Sequence, residues 1–347
     1  MNDAHYYYHA IAAATHGGYA TIKKYRNAAA SWEAAYRAFA RSGAPGPDPE
    51  REYARLERAG IRIALREDAE FPETLRHIPH PPFALYLRGG TLAPQRTEAP
   101  PRVAIVGTRR ASADGKRIAR QFARELAAVG FAIASGLAFG IDAAAHEGAL
   151  DAHGATVAVL AGGLDNVYPH SHRGLADRML AAGGTLASEY PPGEAPLSYR
   201  FIERNRIMSG ISRGVLIVEA PESSGALATA RYAVEQNRDV FVVPGAITVD
   251  GFKGSHALIR QGAELVASPD DIFEAYDVDK KGEAARAADG MPPEEMLILK
   301  ALTEISAAAD VDKLVSLTKL EPQIINQALS FLLIRGKIKE TDTGYTI

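Results

Sequence analysis

The sequence predicts an α/β protein: an extended Rossmann-like, mostly parallel sheet with helices on both faces, a small helical region before it and a winged-helix module after it. Three observations carry this. From Val103 onward, short β-branched or apolar runs alternate with helical periods, which is the pattern of a parallel sheet buried on both faces. Glycine-rich turns follow several of those runs. Beyond a charged, alanine-rich tract the pattern changes to three short helices and two short strands.

In chain order, residues 1–44 read as helical and alanine-rich, anchored by Tyr6, Tyr7, Tyr8, Trp32, Tyr36 and Phe39, and are too short for a large core of their own. A Pro/Gly/charge stretch at 42–51 ends them. Leu56, Ile61, Ile63 and Leu65 then link this front to the sheet, so a front domain is expected over 1–85 and the sheet domain over 86–276. Strands are expected at 103–106, 131–134, 156–160, 185–187, 215–218, 240–243 and 264–267. The helix over 113–129 shows the logic: Ser112 or Asp114 caps its start, Ile118, Phe122, Leu126 and Val129 form one apolar stripe, and Gly130 ends it. Residues 277–293 lack an apolar period and read as a linker. The module at 294–347 follows, with helices at 295–302, 311–317 and 323–333 and strands at 337–340 and 345–347 around the turn Asp342-Thr-Gly344.

Composition narrows the function classes. The chain has 347 residues, 47% hydrophobic and 23% charged, which excludes a largely disordered or fibrous protein. No apolar run reaches the roughly 18 residues that cross a bilayer, the start is polar and aromatic, and no membrane span or signal peptide is expected. Without cysteine there is no disulfide, thiolate metal site or cysteine nucleophile, and a cytoplasmic location is expected. A net charge of −3 means that any nucleic-acid site is a local patch.

Ligands of such sheets bind beyond the carboxyl ends of the strands. After the first of the seven strands come Gly107, Thr108, Arg109 and Arg110, with a glycine at the turn, a hydroxyl, two guanidinium groups and a helix start. Free amides, a helix dipole and bidentate arginine suit a phosphate. The glycines do not follow G-x-G-x-x-G and the P-loop lysine is absent, so neither a dinucleotide nor a nucleoside triphosphate is indicated. Next come Ser135, Gly136, Phe139 and Gly140. Phe139 stands between glycines in a loop, positioned either to stack on a base or to pack beneath its own turn, and Asp142 caps the next helix. The run Arg200-Phe-Ile-Glu-Arg204-Asn205-Arg206 is the densest basic cluster, and its aromatic and amide interleaving suits a nucleic-acid groove better than a solvated charged face. Two residues apart on a helix, Arg204 and Arg206 point in different directions, so one binds ligand while the other braces the fold. Ser224 and Gly225, then Lys253, Gly254 and Ser255, follow later strands. Five phosphate-competent loops on one sheet edge exceed the needs of one small ligand and fit a polyanion laid along that edge.

Catalytic readings are weaker. Ser135 and Ser188 lack a G-x-S-x-G elbow, His170 and His172 read as solvated loop histidines, and Glu219 with Glu222 or Asp270 with Asp271 read as helix caps. No metal, cofactor or nucleophile–base pair is expected.

The motifs Val-Ala-Ile-Val-Gly107-Thr-Arg, Ser135-Gly-Leu-Ala-Phe-Gly-Ile-Asp142 with Ala-Ala-His146, Gly163-Leu-Asp-Asn-Val-Tyr-Pro169, Arg204-Asn-Arg206, Ser224-Gly225 after Glu219, Pro244-Gly245 and Gly254-Ser-His-Ala-Leu-Ile together resemble the DNA-processing protein DprA family, also called Smf, over about residues 50–275. The resemblance implies a protein without enzymatic activity that binds single-stranded DNA, forms homodimers and loads the RecA recombinase onto incoming DNA during natural transformation. It implies strand-backbone contacts at the Gly107, Thr108 and Arg109 loop, at Ser135, Gly136 and Phe139, at Arg204, Asn205 and Arg206, and at Lys253, Gly254 and Ser255. Phe139 stands where the family commonly has a basic residue. The front helices take the place of the family's SAM-like domain without its glycine-centred hairpin, and the tail resembles its winged helix. In that tail Gln323, Asn326 and Gln327 face no Arg or Lys before Arg335, and residues 291–347 hold 6 basic against 8 acidic side chains, which favours a protein contact over duplex binding. The apolar edge around His256, Ile259 and Leu265 is the expected dimer surface. The alternative is a Rossmann-fold nucleotide or nucleoside phosphoribohydrolase, but the turn from Glu222 through Ser224 and Gly225 lacks the carboxylate that such chemistry places after its glycines.

Overall fold

The computed structural model describes residues 3–43, 46–92, 101–278, 293–305, 308–334, 337–341 and 344–346. The linker expected at 277–293, Arg335 and the turn residues Asp342 and Thr343 lie almost entirely outside them. Contacts divide the chain into two units, Met1–Tyr276 and Asp277–Ile347.

The first unit opens with α1 (Asp3–Ala14), α2 (Tyr19–Asn27), α3 (Trp32–Arg41) and α4 (Pro49–Arg58). An antiparallel pair follows, β1 (Ile61–Leu65) and β2 (Ala84–Gly89), with α5 (Glu73–Arg76) between its strands. The winding then runs β3 (Arg102–Val106), α6 (Ala113–Ala128), β4 (Ala132–Ser135), α7 (Ile141–Asp151), β5 (Thr156–Leu160), α8 (Arg173–Ala181) and β6 (Thr185–Ser188). It returns through α9 (Ser198–Gly210), β7 (Gly214–Ile217), α10 (Ala226–Glu235), β8 (Asp239–Val242), α11 (Lys253–Arg260), β9 (Glu264–Leu265) and α12 (Pro269–Ala275).

Among the described residues these nine strands form one sheet in the order β1-β2-β6-β5-β4-β3-β7-β8-β9. All seven expected strands are present. The sheet does not begin after residue 86, however: β1 pairs with β2 from Ile61↔Arg88 to Leu65↔Ala84, and β2 pairs antiparallel with β6 at Tyr86↔Ser188. The expected boundary at 85/86 therefore falls inside β2. The front helices are likewise not a separate core. Tyr8, Ile11, Trp32, Phe39 and Leu56 join Leu160 and Leu186 of the sheet in one buried cluster, where a large apolar side chain contributes about 1.5–3 kcal/mol.

From β6 to β9 neighbouring strands are parallel, and β3 is flanked by β4 on one side and β7 on the other. The chain winds outward from β3 to β6, then crosses back and winds outward again from β7. The switch point lies between β3 and β7, and all seven parallel strands deliver their carboxyl ends to the same edge. The α6 helix starts as its sequence dictates, with Ser112 Oγ accepting from the Gly115 amide at 2.9 Å.

In the second unit, helices Pro293–Ile305, Val311–Thr318 and Pro322–Ile334 enclose Ile298, Leu302, Leu314, Ile325 and Leu329. Strands Lys339–Thr341 and Gly344–Thr346 pair antiparallel. No described helix is long and apolar enough to cross a membrane.

Candidate functional site

An open cleft of about 390 Å³ sits at the switch point. Its walls are Gly107, Thr108, Arg109 and Arg110 from the loop after β3, Ala138 and Asp142 at the start of α7, Phe201, Ile202, Arg204, Asn205 and Met208 from α9, and Pro221 with Ser223 to Ala226 before α10. The loops after β3 and β7 are tied together. The Thr108 amide donates to the Glu219 carbonyl at 2.7 Å, while the buried Glu219 carboxylate accepts from the Ser112 amide at 3.0 Å and the Ser112 hydroxyl at 2.8 Å. Gly140, at φ +78°, lets the β4 loop touch the same turn: a Cβ there would stand 2.4 Å from the Thr108 carbonyl oxygen.

Charge at the cleft is uneven. Arg109 and Arg110 are exposed, and neither forms a salt bridge with a described residue. The Arg109 guanidinium lies 4.6 Å from the Phe201 ring centroid, which orients it over the opening. Arg204 forms the floor. It is 4% exposed and donates to the Gly136 carbonyl at 2.9 Å and to the Val159 carbonyl, and burial lowers its pKa to about 10. Gly136 has room for no side chain, because a Cβ would fall 2.5 Å from that guanidinium. Asp142 is also buried, and its carboxylate accepts from the Gly136 amide at 3.1 Å and the Ala138 amide at 3.4 Å, so it ties down the preceding loop and does not cap α7, whose N-cap is Gly140 without a side-chain hydrogen bond. Burial raises its pKa, against the opposing pull of Arg204, those amides and Arg109. With two guanidinium groups that form no salt bridge among the described residues and the start of α10 facing an open cavity, the site suits an anion.

Of the residues singled out from sequence, Gly107, Thr108, Arg109, Arg110, Arg204, Asn205, Ser224 and Gly225 meet in this cleft. Phe139 stands beside it, 47% exposed, its ring 4.8 Å from that of His172. Three others do not face ligand. Ser135 is fully buried and donates to the Ile105 carbonyl at 2.7 Å, and buried Ser255 accepts from the Ala220 amide at 3.2 Å. Arg206 pairs with the buried Glu189 carboxylate on the far side of α9, where burial lowers its pKa and the carboxylate more than reverses this. As strand contacts these three are replaced by fold-bracing roles; the opposite directions of Arg204 and Arg206 follow from the helix. Lys253 is exposed and paired with Asp250 at 2.8 Å, outside the cleft, and Gly254 packs against the Pro221 carbonyl behind it. Sequence reasoning did not single out Ser223 or Tyr168, whose ring centroid is 5.9 Å from that of Phe201, and it read Phe201 and Ile202 only as part of the run Arg200-Phe-Ile-Glu-Arg204 and not as individual cleft residues. His256 and Ile259 are half-buried on α11, and Leu265 is 49% exposed on β9, the last strand of the sheet. Among the described residues no three His, Asp or Glu side chains are grouped to hold a metal ion.

Sheet order and switch-point cleft together define a Rossmann-like α/β protein with an arginine-lined cleft at the carboxyl edge of its sheet. The model of the family described as DNA recombination-mediator protein A matches residues 62–277, and the chain belongs to that family. It is 46% identical to Protein Smf of Escherichia coli K12 over 208 residues, a match that covers 60% of this chain and 54% of that protein. The structure of DNA processing protein A from Streptococcus pneumoniae is similar at a TM-score of 0.62 and 30% identity, covering 79% of this chain and 98% of that one. DNA processing protein A from Helicobacter pylori, whose structure was determined for its single-stranded DNA binding mode, is similar at a TM-score of 0.53 and 29% identity, covering 62% and 95%.

Proposed function

We propose that this chain is a recombination mediator that binds single-stranded DNA along the carboxyl edge of its sheet without breaking a bond, and that it passes the strand to a RecA recombinase. The observation that carries the reading is the cleft between β3 and β7, where Arg109 and Arg110 are exposed and form no salt bridge among the described residues, beside the turn at Ser224 and Gly225. The similarity to the Helicobacter pylori protein, which binds single-stranded DNA, supports the same ligand. The phosphoribohydrolase alternative gains no support, since the carboxylate that lines the cleft, Asp142, is already engaged by two loop amides. A homodimer through β9 and α11 accords with the exposed Leu265 on a strand that ends the sheet. The tail then serves a protein contact, and the whole acts in the cytoplasm.

Salt-dependent binding of an oligothymidylate tests this. For single strands the slope of log affinity against log salt is about −0.7 per phosphate neutralised. Arg109→Ala is expected to weaken binding and to flatten the slope by about that amount. An unchanged affinity and slope would remove Arg109 from the site.

A further inference from the structure

The rim beside the anion cleft carries an unusual surface. Among the described residues of the first unit, the aromatic side chains that stand largely in solvent are Phe139 at 47%, Tyr168 at 43% and Tyr199 at 55% exposure. All three lie on the carboxyl side of the sheet: Phe139 in the loop after β4, Tyr168 in the loop after β5, and Tyr199 at the start of α9, which follows β6. Isolated exposed rings are ordinary on a protein surface, but here they gather on one edge.

The rings are also continuous with the cleft. Tyr168 makes a steep contact with Phe201, the two planes at 62°, and Phe201 carries the Arg109 guanidinium on its other contact. Tyr199 precedes Ile202 by three positions on α9, so the two share a helix face, and Ile202, 43% exposed, is part of the cleft wall. Phe139 follows Ala138, another wall residue, and is steadied by His172, whose Nδ1 lies 2.8 Å from the Leu137 carbonyl. The edge therefore has two chemistries side by side: guanidinium and amide groups at the β3 and β7 loops, and aromatic surface toward β4, β5 and α9. A ligand that satisfies both has anionic groups and flat apolar groups alternating along one flexible chain.

We propose that Tyr168 and Tyr199, together with Phe139, form a base-stacking platform, so that the rim selects unpaired nucleotides through their bases as well as through their phosphates. The proposal deepens the single-strand reading above and rests on it. A duplex hides both faces of its bases and offers this platform nothing, whereas each splayed base of a single strand gains a ring to stack on.

The experiment compares Tyr168→Ser and Tyr199→Ser with the unaltered chain by fluorescence anisotropy. Two probes of equal length are used, an oligothymidylate and the same backbone with abasic sugars. Retained thermal melting of the variants, read from Trp32 emission, shows that they fold. Each substitution is expected to weaken oligothymidylate binding roughly five- to tenfold, with the salt slope unchanged, and to alter abasic binding by less than about twofold. Equal losses on both probes, or no loss on either, would overturn the platform while leaving phosphate binding standing. If the unaltered chain binds neither probe, the single-strand reading falls and the platform with it.

Discussion

Replacing Arg204 by methionine tests whether the floor of the cleft is held by a buried charge. The substitution keeps most of the side-chain volume and removes the guanidinium that donates to the Gly136 and Val159 carbonyls, which bridges the β4 loop to β5. Hydrogen bonds from a charged donor contribute about 1.5–3 kcal/mol each, so losing two costs about 3–6 kcal/mol. For a unit of this size that corresponds to a fall in Tm on the order of 10 °C. Trp32, the chain's single tryptophan, is 4% exposed in the core shared by the front helices and the sheet, so its emission reports unfolding of this unit. The pH dependence has a definite sign. Burial raises the folded-state pKa of Asp142 above its unfolded value, so the cost of its charge is present at neutral pH and disappears as pH falls through the folded value. Arg204 opposes that rise, and its removal enlarges the cost. It also repels the proton of His146, so its loss eases protonation there at low pH. Both effects shrink the deficit of the variant as pH falls, the His146 effect only as pH approaches about 3. Asp142→Asn in the Arg204→Met background should recover part of the loss. A melting point within about 2 °C of the unaltered chain, or a deficit that grows on acidification, would refute this account.

Two further measurements address the fold and the assembly. His146 is fully buried with Nδ1 at 2.8 Å from Thr156 Oγ1, and burial lowers its pKa to about 3 from an ordinary value of 6.5. Its contribution is complete above pH 6.5 and is lost as pH falls toward 3, so acidification to pH 5 costs roughly 2 kcal/mol at this site, a loss that His146→Gln should remove from the stability profile. Ile259→Glu, which places a charge on α11 beside the edge strand, is expected to sediment as a monomer; an unchanged dimer would exclude that surface.

The parallel strands were legible because burial on both faces turns them into uninterrupted apolar runs such as Thr156–Leu160, all of whose residues are buried. The pair β1 and β2 was harder to read. In β1, Arg62 interrupts the apolar residues, and its guanidinium is spent on Glu70 and the Gly89 and Gly90 carbonyls, so the segment reads as a lead-in and not as sheet. The cleft was half legible for a related reason. A glycine turn followed by Thr108, Arg109 and Arg110 announces itself locally, and so does the divergence of Arg204 from Arg206, because both depend on near neighbours in sequence. Whether a hydroxyl faces ligand or the interior depends on distant carbonyls: Ser135 is turned inward by Ile105 thirty residues earlier, and Ser255 is held by Ala220. The aromatic rim is a property of the same kind. Phe139, Tyr168, Tyr199 and Phe201 come from three connections, each of which taken alone reads as an aromatic that packs somewhere. They become one surface because a parallel sheet brings every strand's carboxyl end to a single edge. That topology makes a track for a chain of repeating nucleotides a better fit to this edge than a pocket for one small molecule.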